Sequence, residues 1–268
     1  MTTGALIFAF NNEDIDYLAM AAWSANNIKR HLKIPVAVVT DQDKANSLTC
    51  FDHVILASTN SSGHRYFNDI GKSVPWFNSN RTDAYSLSPW EKTLVLDADY
   101  VVASNQLKPL LQSNFDFLCH RYAYDLTGTQ DFEDLNYFGR HRMPMWWATV
   151  MMFNRSDHAR LVFESMSMIR QNWQHYKDIY GTGRSVYRND HSLSISLCLL
   201  NGHNIDCPSI PWNLASVTHS HQLTQLDVDQ YRIDFLNQEQ KPRWVEIANA
   251  DFHAMGKGHL GEIIANSK

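Results

Sequence analysis

Residues 5–10 read ALIFAF, a short and continuous apolar run. Such a run is typical of a strand that is buried on both faces of a parallel sheet. Apolar residues then recur at helical spacing, at Ile15, Leu18, Ala22, Ala25, Ile28 and Leu32. Pro35 ends this pattern, and further apolar runs follow at 36–39 and 54–56. The order of strand, helix and strand predicts an α/β fold with a mostly parallel central sheet flanked by helices.

The composition is that of an ordinary globular protein. The 268 residues are 44% hydrophobic and 19% charged, which excludes a largely disordered chain. Lys and Arg number 23 against 28 Asp and Glu, and the formal charge of −5 excludes a globally basic nucleic-acid coat. We expect a single domain over residues 1–268. The four cysteines form no CxxC pair, and neither a signal peptide nor a membrane span is visible, so we expect a cytoplasmic protein.

The later chain predicts further elements. Apolar runs indicate strands at 94–96, 100–102, 115–119, 147–153 and 244–252. Apolar residues from Val162 to Tyr176 predict one long amphipathic helix, and residues 190–200 predict another. Residues 64–91 are too long for a plain loop in a compact domain, so this segment is either helical in part or functional. Glycines punctuate residues 253–258 and predict a loop.

Polar side chains follow the first two strands. Asn11 and Asn12 come directly after the first strand, and Thr40 and Asp41 end the second. Ligands of open α/β sheets bind beyond the carboxyl ends of the strands, which makes Asn11 and Asn12 candidate binding residues. With the acidic residues 13–14 they also suit the cap of the first helix. No GxGxxG or GxxxxGK[ST] pattern occurs, which argues against a Rossmann dehydrogenase and a P-loop NTPase.

The strongest chemical signal is LVLDAD at residues 94–99. It places Asp97 and Asp99 two residues apart at the end of an apolar strand. If the backbone turns between them, both carboxylates can converge on one hard cation, such as Mg²⁺ or Mn²⁺ held together with a diphosphate. The alternative is an acidic turn that is exposed to solvent.

The chain resembles the GT-A glycosyltransferases, above all their glycogenin-like, family-eight branch. Four stretches carry the resemblance in the family's order: SPWEKTLVLDADYVV at 88–102, MMFN at 151–154, NDHSL at 189–193 and HAMGK at 253–257. The resemblance covers most of the chain and implies a single-domain GT-A, Rossmann-like fold. Residues 1–104 would then form the nucleotide-sugar-binding half. Residues 105–268 would form the acceptor half with a metal-binding loop near the C-terminus.

The resemblance implies a metal-dependent transfer of a sugar from a nucleoside diphosphate sugar, in the first place a UDP-sugar, to a hydroxyl acceptor. By analogy with the family, Asp97, Asp99 and His253 would bind Mn²⁺ or Mg²⁺. Asp190 would point an acid at the sugar, as a general base or by orienting it. Capping of its own helix explains the position of Asp190 equally well.

The same resemblance suggests residues that contact the donor. Lys257 would meet the diphosphate, and Asp97 would bind the donor through the metal. Arg81 and Asp83 lie in NSNRTD at 78–83, ahead of the Asp-x-Asp strand, where the family often places a basic residue. An ordinary surface arginine is the alternative for Arg81.

A central segment, YFGRHRMPMWW at 137–147, mixes cations with aromatic rings. One interpretation is an acceptor-binding loop in which Arg140, His141 and Arg142 bind phosphates and the rings stack a base or sugar. A hydroxymethylated pyrimidine of phage-type DNA is then one possible acceptor, reached by base extrusion, and the location is a host cytoplasm. The other interpretation is that the rings fill the core.

Two other functional classes fit the Asp-x-Asp segment. The stretch DADYV at 97–101 has the DxDx[TV] form of haloacid-dehalogenase-like phosphatases, in which Asp97 would be the nucleophile. In that family the motif lies on the first strand, whereas two or three strands precede it here. A nucleotide-sugar-binding protein without turnover, or a nucleotidyltransferase, is the other alternative, although residues 8–16 lack the glycine-rich basic loop of the latter.

Overall fold

Seventeen strands and seven helices are seen in the described part of the chain. The computed structural model describes residues 2–58, 63–67, 70–131, 134–183, 186–204 and 207–266. The strands are β1 (Thr3–Phe8), β2 (Val36–Thr40), β3 (His53–Leu56), β4 (His64–Phe67), β5 (Lys72–Pro75), β6 (Lys92–Leu96), β7 (Tyr100–Val101), β8 (Phe117–His120), β9 (Ala123–Asp125), β10 (Tyr137–Phe138), β11 (Met143–Pro144), β12 (Trp147–Asn154), β13 (Leu214–Val217), β14 (Gln222–Asp227), β15 (Gln230–Leu236), β16 (Pro242–Ala248) and β17 (Phe252–Ala254). The helices are α1 (Tyr17–Leu32), α2 (Ala84–Leu87), α3 (Lys108–Gln112), α4 (Asp157–Gln171), α5 (Trp173–Tyr180), α6 (Asn189–Leu200) and α7 (Lys257–Asn266). Short 3-10 helices span Asp43–Ser47, Asn78–Asp83 and Asp134–Asn136.

The central sheet has six strands in the order β3-β2-β1-β6-β12-β8. Strands β3, β2, β1 and β6 run parallel, and β12 runs antiparallel to both of its neighbours. The ALIFAF run lies in the middle of this sheet, where both faces of β1 are buried from Gly4 onwards. The predicted α/β class with a mostly parallel central sheet is confirmed.

Helices cover both faces of the sheet. Leu6 and Ile7 are adjacent in β1, so their side chains point to opposite faces. Ile7 belongs to the core cluster that includes Ile28 of α1. Leu6 belongs to the other cluster, with Val162 of α4 and Leu193 of α6. The alternation of the strand therefore determines which helix packs on which face.

A second sheet, in the order β7-β17-β13-β9, joins the end of the Asp-x-Asp segment to the C-terminal part of the chain. Strand β7 pairs antiparallel with β17, and this register places His253 opposite Tyr100. Strand β13 runs parallel to both β17 and β9. Residues far apart in the sequence are thereby brought to one place.

The segment 64–91 is neither a plain loop nor a single helix. It contains the hairpin of β4 and β5, the 3-10 helix Asn78–Asp83 and the short helix α2. Elsewhere, β10 pairs with β11, and β14, β15 and β16 form an antiparallel sheet.

The long helix expected between Val162 and Tyr176 is two helices. Asn172 separates α4 from α5 and has φ −112° and ψ 31°, outside the helical region. Its side-chain Nδ2 donates to the carbonyl of Met168 at 2.9 Å, and its backbone N–H bonds the same carbonyl. An asparagine that bonds the backbone in this way favours a helix end over a helix interior, which the apolar spacing did not indicate.

The strand expected over 244–252 is also divided. Strand β16 ends at Ala248, and Asn249 has a φ of 51°, which turns the chain away from the sheet. The chain then enters the second sheet as β17. His253 therefore lies on a strand, and Lys257 is the first residue of α7, so the prediction of a loop over 253–258 was wrong. The apolar run was continuous, but its two parts pack against different neighbours.

Candidate active site

A cavity of about 470 Å³ opens at the carboxyl ends of β1 and β6. Phe8 and Phe10 line it from the first strand, and the Asp-x-Asp turn lines it from the second. The 3-10 helix Asn78–Asp83, the start of α6, strand β17 and the start of α7 complete the wall. This is the edge of the sheet at which α/β proteins bind ligands.

Asp97, Asp99 and His253 converge on one point of this wall. One ligand atom from each lies within 4.8 Å of the others. The turn that follows β6 is fixed because the Asp97 N–H donates to the Thr149 carbonyl at 3.0 Å and the Tyr100 N–H to the Asp97 carbonyl at 3.0 Å. On the other side, His253 Nε2 lies 3.1 Å from Asp99 Oδ2. The three residues predicted as metal ligands are thus brought together.

The chemistry of this group suits a divalent cation. Burial lowers the pKa of His253 to about 4, so its imidazole is neutral at pH 7 and has a lone pair to offer. Its Nδ1 is buried and has no hydrogen-bond partner within the described residues. Two carboxylates and a neutral imidazole make the mixed oxygen and nitrogen set that Mn²⁺ accepts. The residues present therefore fit the metal.

Arg81 is buried, with 2% of its surface exposed, and is not a surface arginine. Its guanidinium contacts the Asp97 carboxylate and donates to the Ala148 carbonyl at 2.9 Å. Burial lowers the pKa of Arg81 to about 10, which leaves it charged at neutral pH. Arg81 therefore holds a permanent positive charge beside the Asp-x-Asp turn.

Lys257 lies on the other side of the same turn. It contacts the Asp99 carboxylate from the first residue of α7, and its side chain is 11% exposed. Its Nζ is also 3.5 Å from the Ala254 carbonyl. Lys257 lines the cavity, so a bound anion could replace Asp99 as the partner of the Lys257 ammonium group.

Asp190 is tied to the central sheet. Its Oδ1 accepts the Ala148 N–H of β12 at 3.0 Å, and its Oδ2 pairs with Arg188 at 2.9 Å. The carboxylate lines the cavity from the first turn of α6. Because Arg81 bonds the carbonyl of the same residue, Ala148 links Asp190 to the Asp-x-Asp turn.

The charges of the described wall balance. Asp97, Asp99 and Asp190 face three cations, and His253 is neutral; the cations are Arg81, Arg188 and Lys257. A diphosphate and a divalent cation entering together would preserve this balance, whereas either alone would disturb it.

Three of the residues predicted to bind the donor lie outside this wall. Asn11 Oδ1 accepts the Leu18 N–H at 2.9 Å, and Asn12 Oδ1 accepts the Ile15 N–H at 2.9 Å. Both support the start of α1, where the N-cap is Asp16, whose Oδ1 accepts the Ala19 N–H at 3.0 Å, and not residues 13–14. Asp83 pairs with Arg170 at 3.8 Å. Contact of these three residues with a donor stays a prediction.

The Arg140, His141 and Arg142 side chains are exposed and do not line the cavity. Arg140 Nε is 3.2 Å from His141 Nε2, and the Arg142 guanidinium lies 4.8 Å from the Tyr137 ring centre. Phosphate binding by the cations of the central segment stays a prediction. These cations are at the surface, whereas Trp146 and Trp147 are buried.

The sequence did not single out several residues of the wall. Arg188 directly precedes the NDHSL stretch, and this position two residues before Asp190 is the sequence signal that could have indicated it. In the structure Arg188 pairs with Asp190. Trp76 lies in the segment 64–91, which was suspected of function, and Trp147 is the first residue of β12. Thr149 lines the cavity and accepts the Asp97 N–H.

Comparisons with known proteins give structural similarity only. No protein-family model matches the chain, and no curated protein matches it. The glycosyltransferase GlyE of Streptococcus pneumoniae TIGR4 is similar, with 14% identity over 79% of this chain and 46% of its own and a TM-score of 0.44. The galactosyltransferase LgtC, solved with donor and acceptor sugar analogues, has 16% identity over 72% of this chain and 70% of its own, with a TM-score of 0.45. A CMP-2-keto-3-deoxy-manno-octonic acid synthetase complexed with CTP has 11% identity over 82% and 92%, with a TM-score of 0.42. The chain spans about half the length of the GlyE structure.

Proposed function

We propose that this protein is a metal-dependent glycosyltransferase that moves a sugar from a nucleoside diphosphate sugar, in the first place a UDP-sugar, to a hydroxyl acceptor. The observation that carries the proposal is the convergence of Asp97, Asp99 and His253 within 4.8 Å on the wall of a cavity. Lys257 and Arg81 contact the two carboxylates of the same cluster. A cavity of about 470 Å³ falls within the usual size of small-molecule sites.

The chemistry asked of this site is stabilisation of the departing diphosphate. A divalent ion bound by Asp97, Asp99 and His253 supplies charge neutralisation for the phosphates, and Mn²⁺ or Mg²⁺ suits these ligands. Lys257 binds the diphosphate from the start of α7, and the buried Arg81 holds the Asp97 carboxylate in position. The rings of Trp76 and Phe77 line the same cavity.

Asp190 acts on the sugar side of the site in this proposal. In an inverting reaction it accepts the proton of the acceptor hydroxyl, and in a retaining reaction it orients the sugar. Its two bonds, to the Ala148 N–H and to Arg188, hold the carboxylate in one position for either role.

The acceptor and the compartment are further expectations. A nucleic-acid acceptor would be bound mainly through phosphates, so its affinity would fall steeply with salt, and Arg140→Ala with Arg142→Ala would reduce the log–log slope by roughly two units. An acceptor whose binding is independent of salt contradicts that option. No helix among the described residues has the length and apolarity that a bilayer crossing requires. A cytoplasmic location stays a prediction.

Thermal stability with and without the metal tests the donor site. We expect UDP-sugars with Mn²⁺ to raise the melting temperature, by roughly 2.7 kcal/mol of stabilisation at 100 times Kd, and EDTA to remove the effect. Asp99→Asn should lose both the shift and sugar transfer. Asp157→Asn is the matched control, because the Asp157 side chain is 93% exposed on α4.

The same assay separates the alternative functions. Release of labelled sugar from the donor supports a transferase, whereas a shift without release supports a binding protein without turnover. Release of phosphate from simple esters, lost in Asp97→Asn, supports the haloacid-dehalogenase-like phosphatase. Full transfer by Asp99→Asn in EDTA-treated buffer excludes the metal-dependent reaction.

A further inference from the structure

A second cavity, also of about 470 Å³, lies between β9 and the 3-10 helix Asp134–Asn136. It shares no described lining residue with the candidate active site. Three tyrosines line it, Tyr122, Tyr124 and Tyr137. Tyr122 and Tyr124 are 46% and 45% exposed, which is unusual for two large rings beside one concave surface.

Buried contacts hold two of these rings in place. The guanidinium of Arg121, a residue only 8% exposed, lies 4.5 Å from the Tyr122 ring centre and 5.4 Å from that of Tyr137. Its Nη1 donates to the carbonyls of Asn136 at 3.1 Å and Met145 at 3.0 Å. Arg142 covers the Tyr137 ring at 4.8 Å. The Tyr122 and Tyr137 rings are therefore ordered before any ligand arrives, which lowers the entropic cost of binding on them.

The polar groups of this cavity point to the chemistry of its ligand. Gln130, Asp131 and Asn136 line it, and no Lys, Arg or His occurs among its described lining residues. Carboxylate and amide groups bond hydroxyls, and the Asp125 and Asp131 carboxylates at the lining repel phosphates. The nearest cations, Arg121 and Arg142, are stacked on the Tyr122 and Tyr137 rings. Tyrosine rings supply flat apolar contact area, as the C–H face of a sugar ring requires. The combination suits a neutral saccharide and opposes a nucleic acid.

We propose that the Tyr122–Tyr124–Tyr137 cavity is a second, non-catalytic binding site for a neutral saccharide. The sugar ring lies against Tyr122 and Tyr124, and its hydroxyls bond Gln130, Asp131 and Asn136. Because the two cavities share no lining residue among those described, this binding requires neither the metal ligands nor turnover. The site would retain a saccharide chain near the protein whatever reaction the first cavity performs.

The test is direct binding to an array of neutral oligosaccharides of glucose, galactose, mannose and N-acetylglucosamine, followed by calorimetry with the best of them in EDTA. Tyr124→Ala and Tyr122→Ala should each weaken binding about tenfold or more, whereas Tyr124→Phe should stay within about threefold. Phe115→Ala is the control, because Phe115 is 55% exposed and lies outside this cavity. Melting temperatures of all variants exclude misfolding as the cause.

Asp99→Asn separates this proposal from the proposed function. Full saccharide binding by Asp99→Asn supports a site distinct from the first cavity, even if no sugar transfer is ever found. Loss of binding in Asp99→Asn, equal loss in Phe115→Ala and Tyr124→Ala, or no binding across the array overturns the proposal. Preference for a single-stranded oligonucleotide over every saccharide overturns it as well.

Discussion

Two of the bonds of Asp190 serve different ends. The bond from the Ala148 N–H at 3.0 Å needs only an acceptor oxygen, whereas the pair with Arg188 at 2.9 Å needs a charge. An asparagine keeps the first and loses the second. The two contributions of the carboxylate, structural and chemical, can therefore be separated by a single substitution.

We expect Asp190→Asn to reduce turnover by about 10²-fold or more, since the charge near the reacting centre is lost. The free energy of unfolding should change by less than about 1 kcal/mol, because the hydrogen bond to β12 survives and the pair with Arg188 is partly exposed. Steady-state kinetics and urea unfolding measure the two quantities. Unchanged kcat with a lowered melting temperature would assign Asp190 to structure alone.

The sequence indicated the residues of the site better than their surroundings. Asp97 and Asp99 could be predicted because their spacing and the apolar strand before them are local features. The burial of Arg81 could not, since it depends on a 3-10 helix that docks against the Ala148 carbonyl, 67 positions away. Arg188 was missed although its partner Asp190 is only two positions away, because this pair gains its meaning only from the position of Asp190 on the cavity wall.

At the scale of elements, apolar patterns predicted the central strands and failed where polar side chains interrupt them. Strands β1, β2 and β6 match the runs near 5–10, 36–39 and 94–96 to within a few residues. Breaks at Asn172 and Asn249 were missed, because hydrophobic spacing continues across both. A helix end or a change of sheet is determined by backbone bonds and tertiary neighbours, which periodicity does not record.

Gly4 offers a test of how closely β1 packs beneath the loop before β6. A Cβ at Gly4 would lie 2.3 Å from the Trp90 indole, and Trp90 is itself 4% exposed. Gly4→Ala should therefore lower the free energy of unfolding by about 1–3 kcal/mol through overpacking. Urea unfolding measures this change.

Gly261→Ala is the matched control in a helix. A Cβ there meets nothing within 4 Å, and Gly261 lies inside α7. Alanine is the better helix former by about 1 kcal/mol, so this variant should gain stability. The two glycine-to-alanine changes should thus have opposite signs. A loss of stability in both would contradict the packing assigned to Gly4.

At the scale of the whole molecule, two buried groups give stability opposite dependences on pH. Burial lowers the pKa of His120 to about 4, although its Nδ1 lies 2.9 Å from the Trp212 carbonyl. Burial raises the pKa of Asp251 to about 6, against the hydrogen bonds from Ser104 and Ala103. The folded protein therefore resists protonation of His120 and favours protonation of Asp251.

The stability that the neutral His120 gives the fold is fully present above the unfolded pKa near 6.5 and is lost as the pH falls toward 4. By pH 5 the free energy of unfolding has lost about 2 kcal/mol through this group. Asp251 acts in the other direction, because its folded pKa exceeds the unfolded value of 3.8. About 1 kcal/mol of the free energy of unfolding is regained through Asp251 between pH 7 and 5.

Urea unfolding in EDTA at pH 7, 6 and 5 should show a smaller loss of stability toward acid pH in His120→Asn than in the wild type. Asp251→Asn should show a steeper acid loss, because the stability that Asp251 regains on protonation is absent. The slope of stability with pH is the quantity to compare, because altered packing adds a constant offset that leaves the slope unchanged. Three parallel curves would contradict both assignments.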